Sequence, residues 1–136
     1  MQYFLAKSEP STYSIDHLER EGQTPWNGIK NPQAVAAIKA MQKGDLVFMY
    51  HSGGECCVVG LMKVISVPRP DPKIEKSWMV DVEFVCKYPE PMKLHQIKAS
   101  HLFDDFKLVR QGRLSTMAVP EKFVKWMKER GYKVHS

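Results

Sequence analysis

The sequence predicts an α+β fold in which a mostly antiparallel sheet curls into a small barrel flanked by helices. Strand-like apolar runs recur along the chain and are separated by turns rich in glycine and proline. Helical patterns are inserted between some of these strands and do not alternate with every one of them. One long run, 78–88, alternates apolar and polar residues, which is typical of an antiparallel strand with one face in a core.

Local signals place the elements of the N-terminal half. Ser14 and Asn31 are good helix N-caps, and Pro32 fits a first helical position. Gly22 and Gly44 suit the C-terminal caps of the same two helices. The predicted elements are a strand at 3–6, a helix at 14–21, a loop at 23–30, a helix at 31–41 and a strand at 45–50.

In the C-terminal half, proline positions divide the chain. Pro68, Pro70 and Pro72 predict a loop after a valine-rich strand. Pro120 fits the start of the last helix, and Gly131 follows its end. The predicted elements are a strand at 57–67, a strand at 78–88, a helical turn at 94–99, an ambiguous segment at 102–111 and a helix at 121–130.

Composition indicates one globular domain, 1–136, with a basic surface. The chain has 20 Lys and Arg against 15 Asp and Glu, for a net charge of +5 with neutral histidines, and such a balance favours polyanionic partners. Three cysteines without a disulfide pattern favour a reducing compartment. No signal peptide or membrane-spanning run is visible. We therefore expect an intracellular protein, cytoplasmic if bacterial and nuclear if eukaryotic, with a monomer favoured.

Four separated segments combine hydrogen-bonding side chains with cations or aromatic rings. They are 7–10 (KSEP), 26–31 (WNGIKN), 50–52 (YHS) and 112–115 (GRLS). If these segments converge, they form a pocket with a stacking surface, neutral polar groups and positive charge. Such a pocket suits a nucleobase beside a phosphate.

Each candidate in these segments also has a purely structural interpretation. Trp26 could stack on a base or simply fill the core. Lys30 and Asn31 could bind an anion at a helix N-terminus or belong to an ordinary capped helix. Arg113 could clamp a phosphate or form a surface salt bridge. Segment 50–52 could form the rim of a pocket or a solvated strand end.

Catalytic and metal signals are weak. Ser52 and His51 are neighbours on a strand and do not form a nucleophile–base pair, and no G-x-S-x-G elbow is present. Cys56 and Cys57 lack zinc-ligand spacing, and nothing orients a Cys–His pair with His51. We therefore predict a non-enzyme without metal or cofactor. An enzyme acting on a nucleotide, or a module binding a metabolite or peptide in the same pocket, is the alternative.

Taken together, the motifs resemble those of the EVE domain family, small proteins of the PUA-like superfamily related to the YTH readers. The resemblance covers about residues 1–127. Lys30 stands where the family usually has an arginine, so a planar two-pronged contact is replaced by a point charge. The matching segments, in order, are 7–10, 26–31, 44–45 with 50–52, 59–60, 70–72 and 112–115.

The resemblance implies a PUA-like curled barrel with a pocket that binds modified bases, namely modified cytosine in DNA or a modified RNA base. It implies that Trp26 stacks in the pocket wall and that Ser8, Asn31 and Ser52 hydrogen-bond a base edge. His51 and Arg113 would form the polar rim. The full set of expected ligand-binding residues is Lys7, Ser8, Trp26, Lys30, Asn31, Tyr50, His51, Ser52, Trp78, Arg113, Leu114 and Ser115.

Overall fold

A computed structural model describes all residues, 1–136, and contains a seven-stranded sheet with five helices around it. The strand order is β2-β6-β4-β3-β1-β7, and the short β5 pairs with the start of β6. Only β1 and β3 are parallel, and the other pairs are antiparallel. The strands are β1 (Tyr3–Ser8), β2 (Gln23–Trp26), β3 (Leu46–His51), β4 (Cys57–Val64), β5 (Arg69–Pro70), β6 (Trp78–Lys93) and β7 (Thr116–Ala118).

Irregular pairing in the middle of the sheet accompanies its curl. The register of β4 shifts against β3 between Met49 and Tyr50, and it shifts against β6 between Val58 and Gly60. Such irregularities bend a strand and increase its twist. The terminal strands β2 and β7 do not pair with each other, so the sheet is a curled half-barrel. The predicted α+β, PUA-like, mostly antiparallel fold flanked by helices is confirmed.

The helices begin largely where the capping residues predict. The side chains of Ser14 and Asn31 both accept backbone N–H bonds from the first turn of their helices. Gly44 is not the cap of α2, because that helix ends earlier and Gly44 lies in the turn before β3 with φ +96°. The helices are α1 (Ile15–Glu21), α2 (Pro32–Ala40), α3 (Leu94–Ala99), α4 (Lys107–Arg110) and α5 (Glu121–Glu129).

Several strand boundaries differ from the prediction. The expected loop at 23–30 begins as strand β2, in which Pro25 faces Asp81 of β6. Proline is tolerated there because β2 is an edge strand. The proline loop contains β5, and β6 continues through its own prolines to Lys93 instead of ending at Tyr88. Strand β7 has no clear signal in the sequence.

One apolar core lies between the sheet and the helices. Helix α5 presents Phe123, Trp126 and Met127 to it, as its spacing predicts. Phe103 packs edge-on against two of these rings, at centroid distances of 5.2 Å from Phe123 and from Trp126. Helix α2 contacts both β6 and β7 and thus bridges distant parts of the sheet. None of the helices could cross a lipid bilayer, since each lacks a sufficient length of apolar sequence.

Candidate functional site

A cleft of about 550 Å³ opens where residues from both ends of the curled sheet approach each other. Strand β2 and the loop after it supply one wall, and the end of β1 with the residue before β7 supplies another. The volume falls within the usual range of small-ligand pockets, roughly 300–1,000 Å³. The residues that line the cleft are Lys7, Ser8, Thr12, Tyr13, Thr24, Pro25, Trp26, Asn27, Gly28, Ile29, Lys30 and Ser115.

Three of the four polar–aromatic segments contribute to this cleft. The predicted residues that line it are Lys7, Ser8, Trp26, Lys30 and Ser115. Backbone pairing brings the two most distant of these segments together, because the N–H of Lys7 donates to the carbonyl of Ser115 over 2.8 Å. Residues more than a hundred positions apart therefore lie side by side.

Trp26 forms the aromatic wall of the cleft. Its side chain is only 7% exposed, yet it lines the cavity. The Tyr13 ring meets it edge-on, with centroids 6.3 Å apart and an interplanar angle of 83°. Burial, reinforced by the hydrogen bond from the Tyr13 hydroxyl to Glu21, raises the pKa of Tyr13 to about 12. Trp26 is thus largely packed, and a small part of its surface borders the cavity.

Two cations flank the cleft in different environments. The Nζ of Lys7 donates to the carbonyl of Gly112 over 2.8 Å and lies 5.3 Å from the centroid of the Tyr50 ring. Burial lowers the pKa of Lys7. Lys30 is exposed and makes no ion pair within the chain. The cleft therefore has one sheltered cation and one that solvent and ligands can reach.

Neutral polar groups complete the lining. The hydroxyl of Ser8 donates to the carbonyl of Tyr13 over 2.7 Å, which leaves its lone pairs available. The hydroxyl of Ser115 has only a long contact of 3.5 Å with Thr116. Asn27 is exposed. These side chains can both donate and accept hydrogen bonds, as an uncharged base edge requires.

Four further predicted residues lie outside the lining. The side-chain oxygen of Asn31 accepts the first backbone N–H bonds of α2, so it acts as a cap. Trp78 is half-buried at the start of β6, with the Nζ of Lys39 5.1 Å from its ring centroid. Leu114 is buried in the core. Arg113 is exposed, does not line the cleft and makes no ion pair.

The segment 50–52 lies next to the end of β1 and is not part of the cleft lining. Tyr50 is buried, and the backbone N–H of Ser52 donates to the carbonyl of Ser8 over 3.0 Å. The Nε2 atom of His51 accepts the backbone N–H of Ile15 over 3.1 Å. His51 therefore holds the first turn of α1 and does not line the cavity.

This role of His51 makes stability depend on pH. Burial lowers the pKa of His51 below its ordinary value of 6.5, and only the neutral imidazole can accept the Ile15 N–H at Nε2. Its contribution is therefore present above pH 6.5 and is lost as pH falls through the lower folded-state pKa. We expect the unfolding temperature of the wild type to fall as the pH is lowered from 7.5 to 5.5. This fall should be smaller in His51→Gln.

The matched control is His95→Gln, since His95 is an exposed histidine that makes no side-chain hydrogen bond. This variant should keep the pH dependence of the wild type. An identical fall in unfolding temperature for both variants would show that another group is responsible.

Seven lining residues were not predicted: Thr12, Tyr13, Thr24, Pro25, Asn27, Gly28 and Ile29. Three of these belong to segment 26–31, which was predicted to line the pocket, but no residue-level signal marked them as ligand-binding. Tyr13 had a usable signal, because it is an aromatic residue between the 7–10 segment and the cap of α1. Thr24 and Pro25 could be assigned only after β2 was recognised as a strand.

The curled half-barrel and its aromatic-walled cleft place the protein in the PUA-like class. Within that class the family can be stated. The EVE domain model matches residues 2–130, and the chain belongs to the EVE domain family. The resemblance of its motifs to this family is thus confirmed.

Similar proteins include thymocyte nuclear protein 1 from Rattus norvegicus, which is 32% identical over an alignment that covers 73% of this chain and 56% of that protein. The chain thus spans about half the length of the curated relatives it matches. A protein from Agrobacterium tumefaciens has a TM-score of 0.90 and 33% identity, with coverage of 97% of this chain and 94% of its own. Human THYN1, solved in complex with DNA containing 5-methylcytosine, has a TM-score of 0.85 and 25% identity, with coverage of 98% and 99%.

Proposed function

We propose that this protein is a non-catalytic nucleic-acid-binding module that receives a modified cytosine of DNA in its cleft. The observation that carries the proposal is the position of Trp26, a largely buried aromatic residue that borders the cavity. Stacking of a base on an aromatic ring contributes about 1–3 kcal/mol. Human THYN1 was solved with DNA that contains 5-methylcytosine, and this similarity supports the choice of ligand.

The lining also matches the chemistry of a methylated cytosine. Hydroxyl and amide groups of Ser8, Ser115 and Asn27 can pair with the polar edge of the base. Pro25 and Ile29 add apolar surface to the same lining. A C5-methyl group that becomes buried against such surface contributes about 0.8 kcal/mol. The cleft could therefore distinguish the methylated base by a modest but measurable amount.

Charge around the cleft suits the DNA backbone. The chain has a net charge of +5, and the exposed Lys30 belongs to the same cleft lining as Trp26. A base within the cleft must leave the duplex stack, which costs a few kcal/mol. Contacts between lysines and phosphates can offset part of this cost, and they make the affinity depend on salt.

The absence of a catalytic role is proposed from the composition of the lining. None of its residues is a histidine, cysteine, aspartate or glutamate. The nearby imidazole of His51 is engaged with the backbone of α1. The Nζ of Lys7 donates to the Gly112 carbonyl and makes no hydrogen bond with Ser8 or Ser115, so neither hydroxyl has a base as its partner.

A titration of two duplexes tests the proposal. We expect a duplex with one central 5-methylcytosine to bind about three- to fivefold more tightly than the unmodified duplex at the same salt concentration, because burial of one methyl group is worth about 0.8 kcal/mol. Fluorescence anisotropy measures both dissociation constants. Equal affinities, or no binding to either duplex, would contradict the proposal.

Two further arms of the experiment address the alternatives. RNA of the same sequence, with and without 5-methylcytidine, shows whether the partner is RNA instead of DNA. Mass spectrometry of the oligonucleotides after incubation detects any chemical change, which would indicate an enzyme.

We also propose that the protein acts in the compartment that contains the genome. That compartment is the nucleus in a eukaryote and the cytoplasm in a bacterium. The name of the relative thymocyte nuclear protein 1 supports a nuclear location in eukaryotes.

A further inference from the structure

We propose that Asp71 and Ser77, neither of which lines the cleft, are positioning residues for base recognition. They hold the backbone of Gly28 and Ile29, which belong to the same cleft wall as Trp26. We call the pair and its intervening segment the 71–77 clamp. The inference rests on the proposed function, because it assigns to the clamp the geometry that receives the base.

Asp71 uses both carboxylate oxygens on backbone donors. Its side chain is only 7% exposed. Oδ2 accepts the N–H of Gly28 over 3.1 Å, and Oδ1 accepts the N–H of Lys73 over 2.9 Å. These two bonds hold the pKa of Asp71 below its ordinary value of 3.8, so the group is a carboxylate at neutral pH. One oxygen fixes the clamp itself, and the other fixes the cleft wall.

Ser77 holds the next residue of the same wall. It is 2% exposed, and its hydroxyl donates to the carbonyl of Ile29. The N–H of Asp71 donates to the carbonyl of Ser77 over 2.9 Å, so the two clamp residues are joined directly. Two buried side chains of one connected unit therefore hold two successive residues of the cleft lining.

The cleft wall needs this support because it has no regular structure of its own. Residues 27–30 lie between the end of β2 and the start of α2. The clamp occupies the N–H of Gly28 and the carbonyl of Ile29, while the N–H groups of Ile29 and Lys30 have no acceptor within the chain. The bonds to the clamp are therefore the hydrogen bonds that fix residues 28 and 29 of this wall.

The variant Asp71→Asn tests the clamp. The Gly28 and Lys73 N–H groups meet different oxygens of Asp71, and in Asn one of these positions becomes an NH2 group, which cannot accept the N–H that faces it. We expect affinity for the methylated duplex to fall at least about tenfold, because the clamp and the cleft wall then lose a hydrogen bond to a charged group. Ser77→Ala removes the hydrogen bond to the Ile29 carbonyl and should also lower the affinity for the methylated duplex.

The chain offers a closely matched control in Asp45. This aspartate is 4% exposed and also accepts two backbone N–H groups, from Gln2 over 3.0 Å and from Gln42 over 2.9 Å. It lies at the opposite end of β1 and β3 from the cleft. Asp45→Asn and Asp71→Asn should both lower the unfolding temperature, and Asp45→Asn should leave DNA binding unchanged.

Hydrogen exchange of the free protein supplies a readout that does not need DNA. Exchange of the Gly28 amide, the one N–H of this wall that the clamp binds, should be faster in Asp71→Asn and in Ser77→Ala than in the wild type, and unchanged in Asp45→Asn. Unchanged exchange, or equal DNA affinity of the Asp71 and Asp45 variants, would overturn the inference. If the wild type shows no preference for the methylated duplex, the proposed function fails, and exchange alone then decides whether the clamp holds this wall. If Asp71→Asn does not fold, Ser77→Ala gives both measurements.

Discussion

Replacement of Trp26 by alanine is expected to weaken binding of the methylated duplex by about 1–3 kcal/mol, or roughly 5- to 150-fold in Kd. The reason is the loss of the only tryptophan face in the lining of the cleft. The Tyr13 ring meets Trp26 edge-on at 83°, so it does not offer a parallel surface that could replace the indole. Anisotropy titrations of the wild type and the variant at one salt concentration measure the effect.

The same substitution also destabilises the fold, since removal of a buried aromatic ring typically costs about 3–5 kcal/mol. A milder pair of variants separates binding from stability. Trp26 and Trp126 are 7% and 6% exposed, and only Trp26 lines the cleft. Trp26→Phe should weaken DNA binding severalfold, while Trp126→Phe should have a similar effect on stability and none on binding. Equal DNA affinities of these two variants would remove Trp26 from the binding site.

Helices were more predictable than strands because their ends have local causes. Ser14 and Asn31 cap their helices with their own side chains, so neighbouring residues suffice to place the starts of α1 and α2. Strand β2 has no such local signal. Its four residues form a strand because Val80 to Glu83 of β6 lie opposite them, and Pro25 is acceptable only at the sheet edge. That information depends on the whole sheet.

In the candidate site, too, some features have local sequence signals and others depend on the whole fold. The motifs identified Lys7, Ser8, Trp26, Lys30 and Ser115. A backbone hydrogen bond joins Lys7 to Ser115, while Trp26 and Lys30 reach the same cleft from the opposite edge of the curled sheet. Sequence alone could not decide which end residues of a strand face the cavity. Parallel pairing places His51 beside Ser8, yet its ring is directed to the first turn of α1.

The clamp residues also escaped prediction. Asp71 belongs to a motif shared with the family resemblance, but no local pattern connects it with Gly28, from which it is 43 positions distant. Its role follows only from the pairing of β5 with β6, which lies beside the loop after β2. Positioning residues of this kind are therefore visible in three dimensions and not in the motifs.

A second large effect is expected at Gly60, in the middle of β4. A Cβ atom at this position would overlap the carbonyl oxygen of Cys86 on β6 and would lie 2.8 Å from Cδ1 of Ile15. The end of the Ile15 side chain can move, but the Cys86 carbonyl belongs to the paired backbone of the sheet. Gly60→Ala should therefore lower the free energy of unfolding by about 1–3 kcal/mol, measured by urea denaturation.

Gly112→Ala is the control for this measurement, because a Cβ there meets nothing within 4 Å and the residue has no positive φ. Its unfolding midpoint should stay at the wild-type value or rise slightly, since alanine restricts the unfolded chain. An unfolding midpoint of Gly60→Ala equal to that of the wild type would show that β4 and β6 can separate without cost.

Because Ile15 begins α1 and Tyr13 lies two residues before it, the close packing that Gly60 allows also sets the position of a cleft residue. Gly60→Ala should accordingly weaken DNA binding even at temperatures where the variant remains folded.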